Sequence, residues 1–154
     1  MIILKAKLDD LPKLVGFTAA EAQEAEGATK DLTKLEIGIK TALEDPTIAQ
    51  YWVLVDENDQ TCGSVSAVRE WSDWHAGYYW WVQSMYIVPE KRGQGLMTRM
   101  HDAVVEEMER QEGLELRLYV HQDNRRAIRA YEKAGFKPSP YEIMVLGTRD
   151  RDGR

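Results

Sequence analysis

The residues best suited to chemistry lie between Tyr79 and Thr98, Y-W-W-V-Q-S-M-Y-I-V-P-E-K-R-G-Q-G-L-M-T. An aromatic and β-branched run, the mark of a strand, ends at Pro89, which cannot donate to a ladder. Arg92, Gly93, Gln94 and Gly95 then lead straight into Leu96, Met97 and Thr98, the first turn of an amphipathic helix. Glycines at a helix start let the backbone approach a ligand, and the free N–H groups of the first turn attract anions. The pattern therefore predicts an anion cradle at the end of a buried strand. It is not a P-loop, because Leu96-Met97 stands where Lys-Ser or Lys-Thr would be needed. It is not a dinucleotide fingerprint either, because no third glycine follows three residues after Gly95.

A second stretch, Arg69 to Tyr79, reads R-E-W-S-D-W-H-A-G-Y-Y. Glu70 and Asp73 carry negative charge, Trp71 and Trp74 offer aromatic faces, and His75 adds an imidazole. Such a segment is either a specificity loop or a hairpin end whose tryptophans cover the core edge. His101 and His121 show no metal-ligand spacing with cysteine or carboxylates, so no metal is expected. Cys62, on a strand with no basic neighbour, reads as a packing residue.

These stretches must be positioned by a fold that 154 residues can build as one domain over residues 1–148, with 149–154 a frayed tail. A composition 44% hydrophobic and 30% charged supports a buried core and a charged surface. No apolar run reaches membrane-span length, and the N-terminus lacks a signal-peptide layout. A single cysteine excludes an internal disulfide framework and fits a reducing cytoplasm. The net charge of −6 disfavours nucleic acid and suits a cationic small molecule.

Met1 to Ala6 reads as an opening strand. Asp9 can cap a helix beginning near Leu11-Pro12, and the E-A-Q-E-A-E run from Glu21 is expected to be its solvated end. A second helix spans roughly Asp31 to Glu44. Gln50–Val55 and Cys62–Val68 form a hairpin across Asp56–Asp59. After Gly95 a helix with a buried methionine-rich stripe reaches about Arg110, and Leu114–Val120 alternates as a strand. Asp123 or Asn124 caps a further helix that ends at Gly135. Phe136 begins a short strand, and Tyr141–Leu146 is expected to be the last one.

Two matches then occur in order: strand, Val-Pro and R-G-Q-G; and L-Y-V-H-Q-D-N-R-R-A-I-R-A-Y-E-K-A-G-F, Leu118 to Phe136. Together they resemble the GNAT superfamily of N-acetyltransferases. The W-S-D-W-x-x-G stretch is similar to diamine and polyamine acetyltransferases. The resemblance implies an α/β (α+β) GNAT fold: a mixed central sheet of six or seven strands, its central parallel strands splayed apart, flanked by about four helices. It implies acetyl-CoA as acetyl donor, an amine acceptor and a homodimer. Arg92 to Thr98 would hold the pyrophosphate through backbone N–H groups, and Met85, Tyr86 and Ile87 would bond the pantetheine arm. Asn124 would hydrogen-bond the cofactor, and Tyr131 would lie near the departing sulfur as catalytic acid.

An amine attacks a thioester only when neutral. For a lysine-like amine at pH 7, neutralisation costs roughly 4.6 kcal/mol, which desolvation or a base must offset. A backbone N–H near Met85 or Tyr86 suits the oxyanion, and a tyrosine can protonate a thiolate. Two departures from the family stand out. Met97 replaces a usual glycine or alanine, and Gln83-Ser84 replaces the acids of related polyamine enzymes. Neither Gln83 nor Ser84 is a base at pH 7, so the base is expected at Glu70, Asp73, His75 or a water chain. Glu70, Trp71, Asp73, Trp74, His75 and Gln83 are the candidate acceptor-site residues. The favoured reading is acetyl transfer to a primary amine of a small cationic molecule. The alternatives are protein lysine or N-terminal acetylation, and a non-catalytic acetyl-CoA-binding module.

Overall fold

The computed structural model describes residues 1–148; the expected frayed tail, 149–154, lies outside them. The chain divides into two compact units, one from Met1 to His121 and one from Gln122 onward.

The first unit is built on a sheet of five strands in the order β1-β2-β3-β4-β5. They are β1 (Ile2–Lys5), β2 (Gln50–Val55), β3 (Thr61–Ser72), β4 (Gly77–Ile87) and β5 (Leu116–Leu118). The first four pair antiparallel in sequence order, and β5 joins β4 in parallel. The sheet is therefore mixed, as expected, but has five strands rather than six or seven.

Strand alternation sorts the core into two layers. Trp52, Leu54, Val65, Ala67, Trp80 and Val82 point to the face covered by α3 (Leu96–Arg110), meeting Leu96, Met100, Val104 and Met108. The methionine-rich stripe is core, as its helical spacing predicts. On the other face Val53 and Val55 pack with Leu14 of α1 (Leu11–Glu26) and Ile39 of α2 (Leu32–Glu44). Helices on both faces explain why β2 is continuously apolar from Trp52 to Val55 rather than alternating.

Helix ends follow local chemistry. Asp31 caps α2 by accepting from the Thr33 amide at 2.9 Å. For α1 the expected cap shifts: a single 3-10 turn, Leu8–Asp10, precedes the helix, and the Asp10 carboxylate accepts from the Lys7 amide at 2.7 Å. Gly27 ends α1 with φ +63°.

In the second unit, α4 (Arg125–Lys133) is capped by Asn124, whose Oδ1 accepts from the Ala127 amide at 3.2 Å. Among the described residues no strand follows β5, so the expected strands at Phe136 and Tyr141–Leu146 do not form. Ile143, Met144, Val145 and Leu146 are 64–93% exposed. Their β-forming side chains supply propensity but no ladder, and a strand exists only where a neighbour supplies one. The expected strand Leu114–Val120 is likewise reduced to Leu116–Leu118, because only those residues find partners on β4.

Candidate functional site

The β4 strand carries the site. Its register against β3 slips between Ser66/Ala67: Ser66 faces Ser84, yet Ala67 faces Val82. Gln83 is the extra residue of this bulge and is exposed. On its other edge β4 pairs with β5 only at Trp80, Trp81 and Val82. From Gln83 to Ile87 that edge has no partner strand among the described strands. The parallel pair thus stops at the bulge and leaves Met85, Tyr86 and Ile87 bordering an open edge.

Just beyond, Pro89–Lys91 makes one 3-10 turn and the chain enters α3 through two glycines in left-handed conformation, Gly93 (φ +79°) and Gly95 (φ +74°). Nothing lies within 4 Å of where a Cβ would stand on either. No side chain caps α3. Among the described residues, the backbone N–H groups of Gly93, Gln94, Gly95, Leu96, Met97 and Thr98 meet no acceptor, and the first one used is that of Arg99, bonded to Gly95 O at 3.3 Å. Consecutive unpaired N–H groups over an open, Cβ-free surface fit a polyphosphate. Arg92 differs from the residues after it. Its amide donates to Pro89 O, its Nε to Ile87 O at 2.8 Å, and its terminal nitrogen to Glu24 at 2.9 Å. Arg92 is a strut tying the turn to α1, lying 5.2 Å from the Tyr86 ring.

A polar row runs beneath α1. Tyr51, Ser66 and Ser84 are direct cross-strand partners on β2, β3 and β4. Above them Glu21 of α1 turns inward, and its Oε2 accepts from the Met85 amide at 2.7 Å. Burial raises the Glu21 carboxyl above its ordinary range; Met85 N–H and the Ser84 hydroxyl pull it back, and Glu26 pushes it up further. Burial also raises the Tyr51 phenol, opposed by the Ser66 hydroxyl and reinforced by the Glu21 charge. Ser66 Oγ itself is buried and meets no partner in hydrogen-bonding geometry, though it lies close enough to act on Tyr51. Phe17 of α1 stacks on Tyr86 at 5.4 Å and walls one side.

Sequence reasoning missed Glu21. The expectation that Glu21–Glu26 is a solvated end holds for Glu24 and Glu26, which are exposed, but not for Glu21. The helical period carried a signal: Leu14, Phe17 and Glu21 fall at spacings of three and four, so Glu21 continues the buried face.

The acceptor-site candidates other than Gln83 lie elsewhere on the same hairpin. Residues 73–76 are its tip, with Ser72 facing Gly77. Glu70 pairs with Tyr79 and accepts from Trp81 Nε1 at 3.2 Å. Trp71 meets Tyr78 edge-on at 5.1 Å, His75 meets Tyr79 edge-on, and Trp74 is 85% exposed. The arrangement is a hairpin end, and Trp74 does not cover the core edge. At about 3.3 Å per residue, Tyr79 to Gly77 stand roughly 20–26 Å along the strand from Met85. The structure brings Gln83 to the Met85 edge and leaves Glu70, Trp71, Asp73, Trp74 and His75 apart from it. The faces of Tyr79 and Trp81 are already approached by the chain's own Arg117, at 3.5 and 5.7 Å.

In the second unit, Tyr131 lies on α4 and packs edge-on against Phe136 at 5.8 Å. Asn124 uses its carbonyl oxygen as the helix cap. Among the described residues no group of three or more His, Cys, Asp or Glu could hold a metal ion, and no helix is long and apolar enough to cross a membrane.

Solved structures share this fold. A possible acetyltransferase from Clostridium difficile 630 superposes with a TM-score of 0.90 at 27% identity, covering 97% of this chain and 98% of that one. A predicted acetyltransferase from Clostridium acetobutylicum, solved with acetyl-CoA, shares the fold at TM-score 0.78 and 20% identity over 94% and 95% of the two chains. A ribosomal-protein-alanine N-acetyltransferase from Brucella melitensis biovar Abortus 2308 does so at 0.76 and 16% over 96% and 100%. No curated protein matches in sequence. The model of the Acetyltransferase (GNAT) family matches residues 9–136, the span that holds the bulged strand, the glycine turn and α4. The chain belongs to the GNAT acetyltransferase family.

Proposed function

We propose that the protein transfers the acetyl group of acetyl-CoA to a primary amine of a small cationic molecule, by direct attack with both substrates bound. The observation that carries this reading is the conjunction on one strand: an open β4 edge from Gln83 to Ile87, ending in unpaired N–H groups at Gly93–Thr98. The first suits an extended amide-bearing arm, the second its phosphates. In this reading Gly93 to Thr98 grip the pyrophosphate, and Arg92 holds the turn in shape through Glu24 and Ile87. Met85 and Ile87 bond the arm, with Tyr86 beside them. Asn124 and Tyr131 enter by family resemblance, Tyr131 as the acid that protonates the departing thiolate.

A cationic acceptor is supported by the half-buried Glu21 near the open edge and by the net charge of −6. The likeness of W-S-D-W-x-x-G to diamine and polyamine acetyltransferases points the same way. A role for Glu70, Trp71, Asp73, Trp74 and His75 in holding the far end of a long acceptor belongs to this reading too. The cytoplasm is the compartment that the single cysteine and the cofactor favour. A homodimer is proposed on the same resemblance, with the exposed run Ile143–Leu146 as the segment a second copy would cover.

The test is thiol release from acetyl-CoA with diamines, amino acids and lysine peptides, comparing wild type with Tyr131→Phe. Turnover of a diamine, reduced about 100- to 10,000-fold in the variant with coenzyme A affinity unchanged, supports the reading. Turnover of peptides alone would favour protein acetylation. Binding of coenzyme A with no release above the blank would favour a binding module.

A further inference from the structure

The amine must lose its protons to something, and the strand supplies no base: Gln83 and Ser84 do not titrate near neutrality. The hairpin-tip carboxylates and His75 stand roughly 20 Å or more along β4 from Met85. One carboxylate does reach the open edge. Glu21 comes from α1, on the face opposite α3, and its Oε2 holds the Met85 amide at 2.7 Å, two residues past the bulge. That amide sits on the stretch of β4 where β5 no longer pairs.

We propose that Glu21 is the proton acceptor of the transfer, held on the Met85 amide in the free protein and released from it when the acetyl donor binds. The proposal rests on the amine-acetylation reading above. It deepens that reading by naming the base and by making the base's freedom depend on the donor.

The surroundings fit a proton acceptor. Glu21 is partly buried on the face that carries the Phe17–Tyr86 stack and the Tyr51–Ser66–Ser84 row. The groups that face it are Ser84 and the Met85 amide from β4, the Tyr51 phenol from β2 and, on its own helix, Glu26. Glu24, one turn on, is paired with Arg92, whereas Glu21 takes neutral donors from β4. Burial brings the carboxyl nearer the working pH, where a base is most effective.

The balance is simple. The acceptor arrives as an ammonium ion and ends as an amide, so its nitrogen loses two protons. One goes to a Glu21 oxygen and then to solvent. The nitrogen lone pair forms the bond to the carbonyl carbon, the carbon–sulfur bond breaks with its electron pair on sulfur, and the second proton ends on that sulfur. While Glu21 holds the Met85 amide, that N–H is not available to the donor and the Oε2 lone pair it occupies is not available to the amine.

The test uses Glu21→Gln, which keeps an acceptor oxygen for the Met85 amide but cannot take a proton. With acetyl-CoA and 1,4-diaminobutane, kcat should fall about 100- to 10,000-fold while coenzyme A affinity stays within a few-fold. The loss should shrink as pH rises and more amine arrives neutral. The second measurement needs no turnover. In the free wild-type protein the Met85 amide nitrogen signal should titrate with the Glu21 carboxyl carbon signal, and added coenzyme A should abolish the shared transition. A wild type that releases thiol while Glu21→Gln keeps its kcat and pH profile overturns this inference and leaves amine acetylation standing. A Met85 signal that does not follow Glu21 overturns the holding contact. A wild type that binds coenzyme A but releases no thiol with any amine overturns both.

Discussion

Glu21 and Met85 are 64 residues apart in sequence and 2.7 Å apart in the structure, carboxylate to amide nitrogen. The contact joins α1 to the stretch of β4 after Val82, which has no strand on its outer edge among the described strands. It also has a stability cost. The folded-state pKa of Glu21 is raised, so its contribution is fully present below the unfolded value of about 4.3 and is lost as pH rises through the folded value. Glu21→Gln should therefore raise Tm at pH 8, with the gain fading towards pH 4. A thermal melt series across that range checks the sign, and a gain largest at acidic pH would contradict it.

Gly95 sits at φ +74° with open space where a side chain would project. Gly95→Ala should cost about 1 kcal/mol in stability from the left-handed backbone. It should cost coenzyme A binding at least about 10-fold, because the methyl group occupies the surface the phosphates approach. Calorimetric titration separates the two effects. Unchanged affinity would remove the glycine turn from the binding site.

His101 is buried on the core face of α3, and burial holds its imidazole down at about 4 against the pull of Asp102. The folded value lies below the unfolded value of about 6.5, so this stability is present above pH 6.5 and is lost as pH falls from there towards 4. The loss should reach about 3 kcal/mol and then level off. Urea unfolding at pH 7.5, 5.5 and 4 measures it, and His101→Leu should flatten the His101 part of the curve.

Gly113 allows the chain to pass under Trp80. A Cβ there would overlap Met108 Cγ and come within 2.7 Å of Trp80 Nε1. Trp80 is 1% exposed and its amide bonds Glu115 O at 2.9 Å, so it cannot move without loosening the β4–β5 pair. Gly113→Ala should destabilise by about 1–3 kcal/mol. Its tryptophan fluorescence should change before unfolding. A neutral result would mean the ring has room to shift.

The elements legible in the sequence were those whose cause is local. The strand into Pro89, the glycine turn and the α3 stripe are written in consecutive residues. Their physics, a missing donor, two left-handed backbones and a helical period, acts within a few residues. The start of α2 near Asp31 was readable for the same reason, as was the cap of α4, where the structure selects Asn124 over Asp123. The strand count was not, because a run such as Tyr141–Leu146 states a preference and a ladder needs a neighbour.

By itself the sequence carried the family in two ordered motifs, and it determined the glycine turn into α3 and most helix boundaries, which rest on short-range geometry. Only the tertiary structure decided that the parallel pair ends at Val82, that the tryptophan hairpin tip stands apart from Met85, and that a glutamate from a seemingly solvated run turns inward to the strand. Those facts depend on which segments lie side by side. A carboxylate's environment is set by what the chain brings around it, not by the residues on either side of it.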